Sequence, residues 1–177
     1  VMDCDDGDPC TDDYCSGGRC QNTDNGSCGG GTSTLELQAE DASWDDARVE
    51  SEHSGYTGSG YVNTANSVGR WIEWTVDRAS VGDAPCVFRY ANGKSDRAMD
   101  LSVNGCFVTS LDFPSTGGWT DWSTETATVG LNAGSNVIRL TATTSGGAPN
   151  IDKMDITITC NDGYVLSGTE CVCKPGP

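Results

Sequence analysis

The stretch PNIDKMDITITC at 149–160 sets Met154, Ile156 and Ile158 on one side of an extended chain, and Asp155, Thr157 and Thr159 on the other. Counted backwards, Asp152 falls on the apolar side. A carboxylate aimed at a core is costly unless something neutralises it. A metal cation, an arginine or a turn capped by the carboxylate would each do so. A second set of residues has a different chemistry. Trp119 follows the turn sequence STGG, Tyr61 ends a loop rich in Gly and Ser, and Asn150 precedes the last strand. Sugar rings stack their C–H faces on exposed aromatic rings, while fixed amides and charged groups meet the hydroxyls. Taken alone, Trp119 reads first as a half-buried packing residue and Tyr61 as an ordinary strand aromatic.

Catalysis has little to work with. His53 is the single histidine, no nucleophile motif is present, and no pair of facing carboxylates suggests a glycosidase; the chain is not expected to be an enzyme. Twenty-six acids against ten bases give a formal charge of −16, which argues against unaided binding to nucleic acid or an anionic membrane. No apolar run reaches the length of a membrane span. Ten cysteines, an even number, point to disulfides and an oxidising compartment. With no charged and then apolar leader at Val1, the expectation is a secreted, extracellular protein in mature form or an excised part of one.

The cysteines divide the chain. Five fall in the first 28 residues, three in the tail, and only Cys86 and Cys106 between. GGGTST at 29–34 reads as a linker. We therefore place a disulfide-rich head and Gly linker at 1–34, a globular domain at 35–159, and a Cys-rich tail at 160–177. Strand-like segments at 35–40, 70–76, 86–90, 99–104, 107–113, 127–131, 136–143 and 151–159 alternate or are rich in β-branched and aromatic residues. The turn signals ANGKSD, NG, STGG, NAGS and TSGGAPN separate several of them. The expected fold is all-β, a two-sheet β-sandwich of jelly-roll type with small disulfide-rich N- and C-terminal segments.

LELQAEDA, SGYTGSGYVN, RWIEWTV, FRYANGKSDRAMDLSVNG, LDFPSTGGWTDW, LNAGSNVIRL and PNIDKMDI occur in this order. Together they resemble carbohydrate-binding modules of families 6 and 35, more closely 35, over nearly all of 35–159. The resemblance implies a non-catalytic jelly roll with a structural calcium ion and a glycan site in loops at one end. It assigns calcium to Glu40 and Asp152, with Gln38 as a further oxygen donor and backbone carbonyls from about 51–57. Oxygen ligands of these kinds suit calcium. Strict alternation places Leu35, Leu37 and Ala39 inward and turns Glu40 away from Asp152. Both reach one ion only at the strand ends, where a bend or bulge breaks the alternation. The resemblance also gives Tyr61 and Trp119 the sugar ring and Asn150 a hydrogen bond to it. Asn92, Lys94 and Arg97 would add polar contacts. Some family 35 modules recognise uronic acids, and Arg97 could then hold a carboxylate bidentately, although an ion pair with Asp96 or Asp100 is the commoner role. Some family 6 modules bind sugar on the sheet face with a Trp placed like Trp71, on the outer face of RWIEWTV; here the preferred reading is that a loop covers it.

An antiparallel pairing centred near residue 96 would bring Cys86 opposite Cys106, so a mutual disulfide is expected. Zinc is a poor alternative without CxxC spacing or a second histidine. The head resembles DGxPCTxDxC repeats, loosely like thrombospondin type 3 calcium repeats, with Asp3, Asp5, Asp6, Asp8, Asp12 and Asp13 as oxygen donors or a solvated acidic patch. The tail resembles the end of an EGF-like module, and Asn25-Gly26-Ser27 is a glycosylation sequon. With Cys86 and Cys106 paired, the odd numbers left in head and tail require a disulfide joining the two or joining two molecules. Two functions compete. One is a calcium-dependent binder of a glycan or polysaccharide, carried by a secreted or surface protein. The other is a subunit of an extracellular fibre or adhesin that self-assembles through its Cys-rich ends.

Overall fold

A computed structural model describes residues 11–16, 19–24, 32–78, 81–159, 164–167 and 170–173. The chain divides into two compact units, Val1–Ser33 with Thr159–Pro177, and Thr34–Ile158. The strands begin with β1 (Thr11–Ser16), β2 (Arg19–Asp24), β3 (Thr32–Gln38), β4 (Ser43–Trp44) and β5 (Ala47–Glu50). They continue with β6 (Tyr61–Thr64), β7 (Trp71–Arg78), β8 (Gly82–Ala91), β9 (Met99–Val103) and β10 (Cys106–Leu111). The last are β11 (Trp122–Leu131), β12 (Gly134–Ala142), β13 (Asn150–Thr159), β14 (Tyr164–Ser167) and β15 (Glu170–Cys173). No helix is present among the described residues, so none is long and apolar enough to cross a membrane.

In the larger unit a five-stranded sheet, β10-β9-β12-β7-β4, packs against a six-stranded one, β11-β8-β13-β6-β5, with β3 also pairing with β13. Alternation builds the core between them. From the first sheet come Ile72, Trp74 and Val76 of β7, Leu101 of β9, and Ile138 and Leu140 of β12; from the second come Phe88 and Tyr90 of β8, and Met154 and Ile156 of β13. Trp74 and Phe88 meet across the interior with ring centroids 6.0 Å apart. This is the expected all-β sandwich. The dipeptide Asn104-Gly105, at φ 52° and 80°, closes the β9–β10 hairpin, as a two-residue turn with positive φ at both positions requires.

The Cys86–Cys106 disulfide expected from the sequence is not formed; both thiols are free. Cys86 lies in β8 opposite Ala127 and Ile156, whereas Cys106 lies in β10 opposite Val103, in the other sheet. ANGKSD is therefore not a hairpin turn but a crossing from one sheet to the other. Burial also pushes the Cys86 thiol pKa up to about 12, and the thiol donates to Ala84 O at 3.8 Å. In the smaller unit β1 pairs with β2, setting Cys15 opposite Cys20, and β14 pairs with β15; Cys20 is disulfide-bonded. Asn25, Asp3, Asp5, Asp6, Asp8, Cys28 and Cys160 lie outside the described residues, as do the side chains of Asp12, Asp13 and the tail.

Candidate functional site

The sheet crossing at 92–98 and the segment 112–121 are joined into one wall by backbone and side-chain hydrogen bonds. Asn92, fully buried, donates through Nδ2 to the carbonyls of Ser95 (3.0 Å) and Phe113 (2.9 Å), and its Oδ1 accepts from Lys94 N (3.1 Å). Thr116 N donates to Asn92 O at 2.9 Å. These bonds satisfy the Asn92 amide internally, so Asn92 shapes the loops and is not a contact group as the sequence suggested. Trp119 stands on this wall. A Cβ placed on Gly93 would come 2.7 Å from Trp119 Nε1, so the indole has room for its position only because residue 93 is glycine.

Trp119, Asn150, Arg97, Lys94, His53 and Glu50 border a cleft of about 720 Å³. Asn150, 2 % exposed, opens β13 and makes no side-chain hydrogen bond among the described residues. Arg97 is 8 % exposed, donates from Nη1 to Ala148 O at 2.6 Å, and stacks its guanidinium 5.3 Å from the Trp119 ring centre. It pairs with neither Asp96 nor Asp100, and burial lowers its pKa below the usual arginine value. Tyr61 departs from expectation. It is fully buried, with His53 stacked on it at 6.0 Å, Trp122 edge-on at 5.7 Å, and its hydroxyl 3.4 Å from Glu50 Oε2. As the first residue of a strand with the burial order in-in-half-in, it points beneath the cleft and supports its floor; it does not face a ligand. His53 also stacks on Trp119, at 6.1 Å and 15°.

Glu50 gives this floor a fixed charge. Burial raises its pKa, but hydrogen bonds from Asn63 (2.9 Å) and Arg48 outweigh that and hold the carboxyl below the usual value. The two basic residues lining the cleft, exposed Lys94 and buried Arg97, are in no ion pair among the described residues. The cleft therefore combines an aromatic face, an uncommitted amide and unpaired positive charge.

The second constellation answers the question posed by Asp152. Its carboxylate is fully buried and lies at a register shift in β13, where Ile151 faces Tyr90 but Lys153 already faces Arg89. This bulge leaves Asp152 unmatched and turns it off the alternating pattern. Arg89 Nη1 pairs with Asp152 Oδ2, and Thr57 donates to the two oxygens from its N (2.8 Å) and Oγ1 (3.1 Å). β3 meets β13 alongside, with Ala39 N bonded to Asp152 O at 2.9 Å, and then bends away. Gln38 Oε1, 3.0 Å from the same Thr57 Oγ1, shares its one hydroxyl hydrogen with Asp152, while Glu40 Oε1 accepts from Ser59 N (2.6 Å). Gln38, Glu40 and Asp152 thus converge on the 57–59 loop from a strand end and a bulge. Gly58, at φ 64°, is required there, since a Cβ would sit 2.2 Å from Glu40 Oε1 and 2.9 Å from Gln38 Oε1. Glu40 Oε2 is buried without a hydrogen-bond partner, a costly state for a carboxylate oxygen. The donors are all hard oxygens, the chemistry of calcium rather than zinc. Among the described residues no group of three His, Cys, Asp or Glu side chains is set to hold a metal; this set has two carboxylates and one amide.

Residues 38–158 match the family model for the carbohydrate binding module (family 6). The chain belongs to the carbohydrate-binding modules of families 6 and 35. It is similar to a family 35 module from Clostridium thermocellum, with 48 % identity and a TM-score of 0.68 over 70 % of this chain and 97 % of that one. A structure described as Xyl-CBM35 in complex with a glucuronic acid containing disaccharide shares 37 % identity, with a TM-score of 0.64 over 73 % and 99 % of the two chains. An exo-β-D-glucosaminidase of Amycolatopsis orientalis is 47 % identical over 133 residues, covering 74 % of this chain but only 13 % of the enzyme. The sandwich is accordingly a non-catalytic carbohydrate-binding module.

Sequence reasoning does not reach the side of the cleft formed by Arg48, Glu50, His53, Asn63 and Asn66. His53 enters the sequence reading only for catalysis and zinc, and Glu50 lies in β5, one of three strands (β4, β5 and β6) too short or too polar to register as alternating. Trp71, the marker of a second sugar surface, is covered. Arg139 stacks 4.2 Å from its ring centre and is held there by Glu73, so an arginine side chain and not a loop packs on this ring.

Proposed function

We propose that the module captures a sugar bearing a carboxylate, a uronate, at the end of a polysaccharide or side chain, with the ring on Trp119, a hydroxyl on Asn150 and the carboxylate on Arg97. The observation that carries this reading is Arg97 itself, nearly buried beside Trp119 with no acidic partner among the described residues. A buried guanidinium without a counter-ion is set to receive an anion, and its fork matches a carboxylate. Lys94 adds to the local positive charge, while the net charge of −16 repels long polyanions. A single terminal uronate meets both conditions. The relative described as bound to a glucuronic acid containing disaccharide supports the same ligand class.

Calcium is the second part of the proposal. Gln38, Glu40 and Asp152 would hold it, the unsatisfied Glu40 Oε2 being the donor that most needs a cation, with loop carbonyls from 51–57 completing the six to eight oxygens that calcium takes. Its role is structural: it would fix the loop that carries His53 against the first and last strands of the sandwich. The setting is extracellular, consistent with the disulfide at Cys20, and the Cys-rich head and EGF-like tail would connect the module to a secreted or surface protein.

A glycan array probed in calcium should give hits enriched in terminal uronates, lost with Trp119→Ala and weakened by EDTA. An array without hits in calcium, together with ordered polymers in the electron microscope, would replace this reading with the fibre or adhesin subunit.

A further inference from the structure

Among the described residues of the larger unit, the two main sheets end in four edge strands, β10, β4, β11 and β5. Three of them are blunted. β4 has two residues, β5 has four, and β10 carries a bulge between Phe107 and Thr109; short edges and bulges both hinder the addition of another strand. The fourth, β11, is different. Its ten residues pair with β8 at ten consecutive positions without a register shift. The strand, WSTETATVGL, holds neither proline nor lysine, the other common guards of an edge. In an antiparallel ladder every second residue directs its N–H and C=O away from the partner, and no further backbone hydrogen bond reaches these groups of β11 among the described residues. Thr124, Thr126 and Thr128, all exposed, form a β-branched row on the outer face.

One charge interrupts β11. Glu125 is the register partner of the fully buried Phe88, so it stands on the inward face, half-buried at the open side of the sandwich. Burial first, and then the like charges of Asp112 and Asp96, push its carboxyl above the usual value. Asp112 follows β10 and Asp96 lies in the sheet crossing, so three segments bring their acids to one place. None of the three is in an ion pair among the described residues. An inward charge on an edge strand keeps apolar strands and like copies from pairing, and a second copy of a chain with net charge −16 would bring further acids here. The same charge does not exclude a strand of opposite sign. We infer that β11 is a docking edge for an extended polypeptide segment carrying a lysine or arginine, which adds to the six-stranded sheet beside β11 and sets its basic side chain against Glu125, Asp112 and Asp96. Backbone hydrogen bonds hold the segment, and the base selects it.

Hydrogen exchange and calorimetric titration of the full chain test this with two capped peptides, TVTKTVT and the same sequence with norleucine in place of the lysine. Their alternation sets valine and the central residue on one face and threonine on the other. The lysine peptide should slow exchange at the β11 amides that do not bond β8. A partly exposed ion pair predicts that it binds about two- to fivefold tighter than the norleucine peptide. Glu125→Gln leaves the backbone edge intact, so it should bring that ratio close to one while both peptides still protect β11. Exchange at β11 left unchanged by millimolar lysine peptide overturns the docking edge. Equal affinity for the two peptides in the unaltered chain, or an undiminished ratio in Glu125→Gln, overturns the basic partner. A chain that sediments as a dimer by itself, with the β11 amides already protected, overturns it in favour of a second copy.

Discussion

Replacing Arg89 by methionine separates two accounts of how Asp152 is tolerated. Asp152 is fully buried, and the Arg89 side chain beside it is 25 % exposed. Removing one partner of a buried ion pair costs about 3–5 kcal/mol, because the remaining charge is stranded. Partial exposure of Arg89, and the two hydrogen bonds that Thr57 still donates to the carboxylate, reduce that to about 2–3 kcal/mol. Unfolding entropy of about 2.1 cal/mol/K per residue over a unit the size of Thr34–Ile158 turns this into a fall in Tm of about 8–12 °C. Differential scanning calorimetry in EDTA should show the full drop. In millimolar calcium the drop should shrink to a few degrees, because a cation held by Gln38, Glu40 and Asp152 takes over the neutralisation that Arg89 supplies. A fall of under 2 °C in EDTA would refute the claim that Arg89 neutralises Asp152. An equally large fall with and without calcium would refute the claim that Asp152 is a calcium ligand.

Gly93→Ala should abolish glycan binding while changing Tm by only a few degrees, because the added methyl displaces the Trp119 indole and not the core; binding within twofold of the unaltered chain would contradict the packing described here. Cys106, exposed on β10, should react with a thiol reagent in the native protein at pH 8, whereas Cys86, with its pKa pushed up to about 12, should react only after denaturation; a Cys86–Cys106 peptide in a non-reducing digest would overturn both assignments. Two glutamates give stability opposite dependences on pH. The pKa of Glu50 is lowered in the fold, so its stabilisation is complete above the unfolded value near 4.5 and lost as pH falls through the folded value. The pKa of Glu125 is raised, by burial first and then by Asp112 and Asp96, so it opposes folding once pH rises past its unfolded value. Glu125→Gln should therefore raise Tm at pH 7 and leave it unchanged at pH 3, as thermal melts at the two pH values would show, while Glu50→Gln should lower Tm at pH 7; the reverse pattern would refute both assignments.

The sequence determined the sandwich because alternation is a local property. Ile72, Trp74 and Val76, or Met154, Ile156 and Ile158, can be assigned to one face without knowing what they pack against, and the Asn104-Gly105 turn carries its own backbone requirement. The misplacement of Asp152 was also visible in the alternation, which pointed to a bend or bulge near the strand ends. Tertiary structure decided what local pattern cannot encode. Whether β8 pairs with β9 or crosses to the opposite sheet depends on which partners complete each ladder, and that choice separated Cys86 from Cys106. Which polar groups remain available to a ligand depends on hydrogen bonds between segments distant in sequence, and these committed Asn92 to the wall and Tyr61 to the floor while leaving Arg97 without an ion pair and Asn150 without a side-chain hydrogen bond among the described residues. Residue type gives a side chain its chemical capacity; only the packed fold determines whether that capacity is already used.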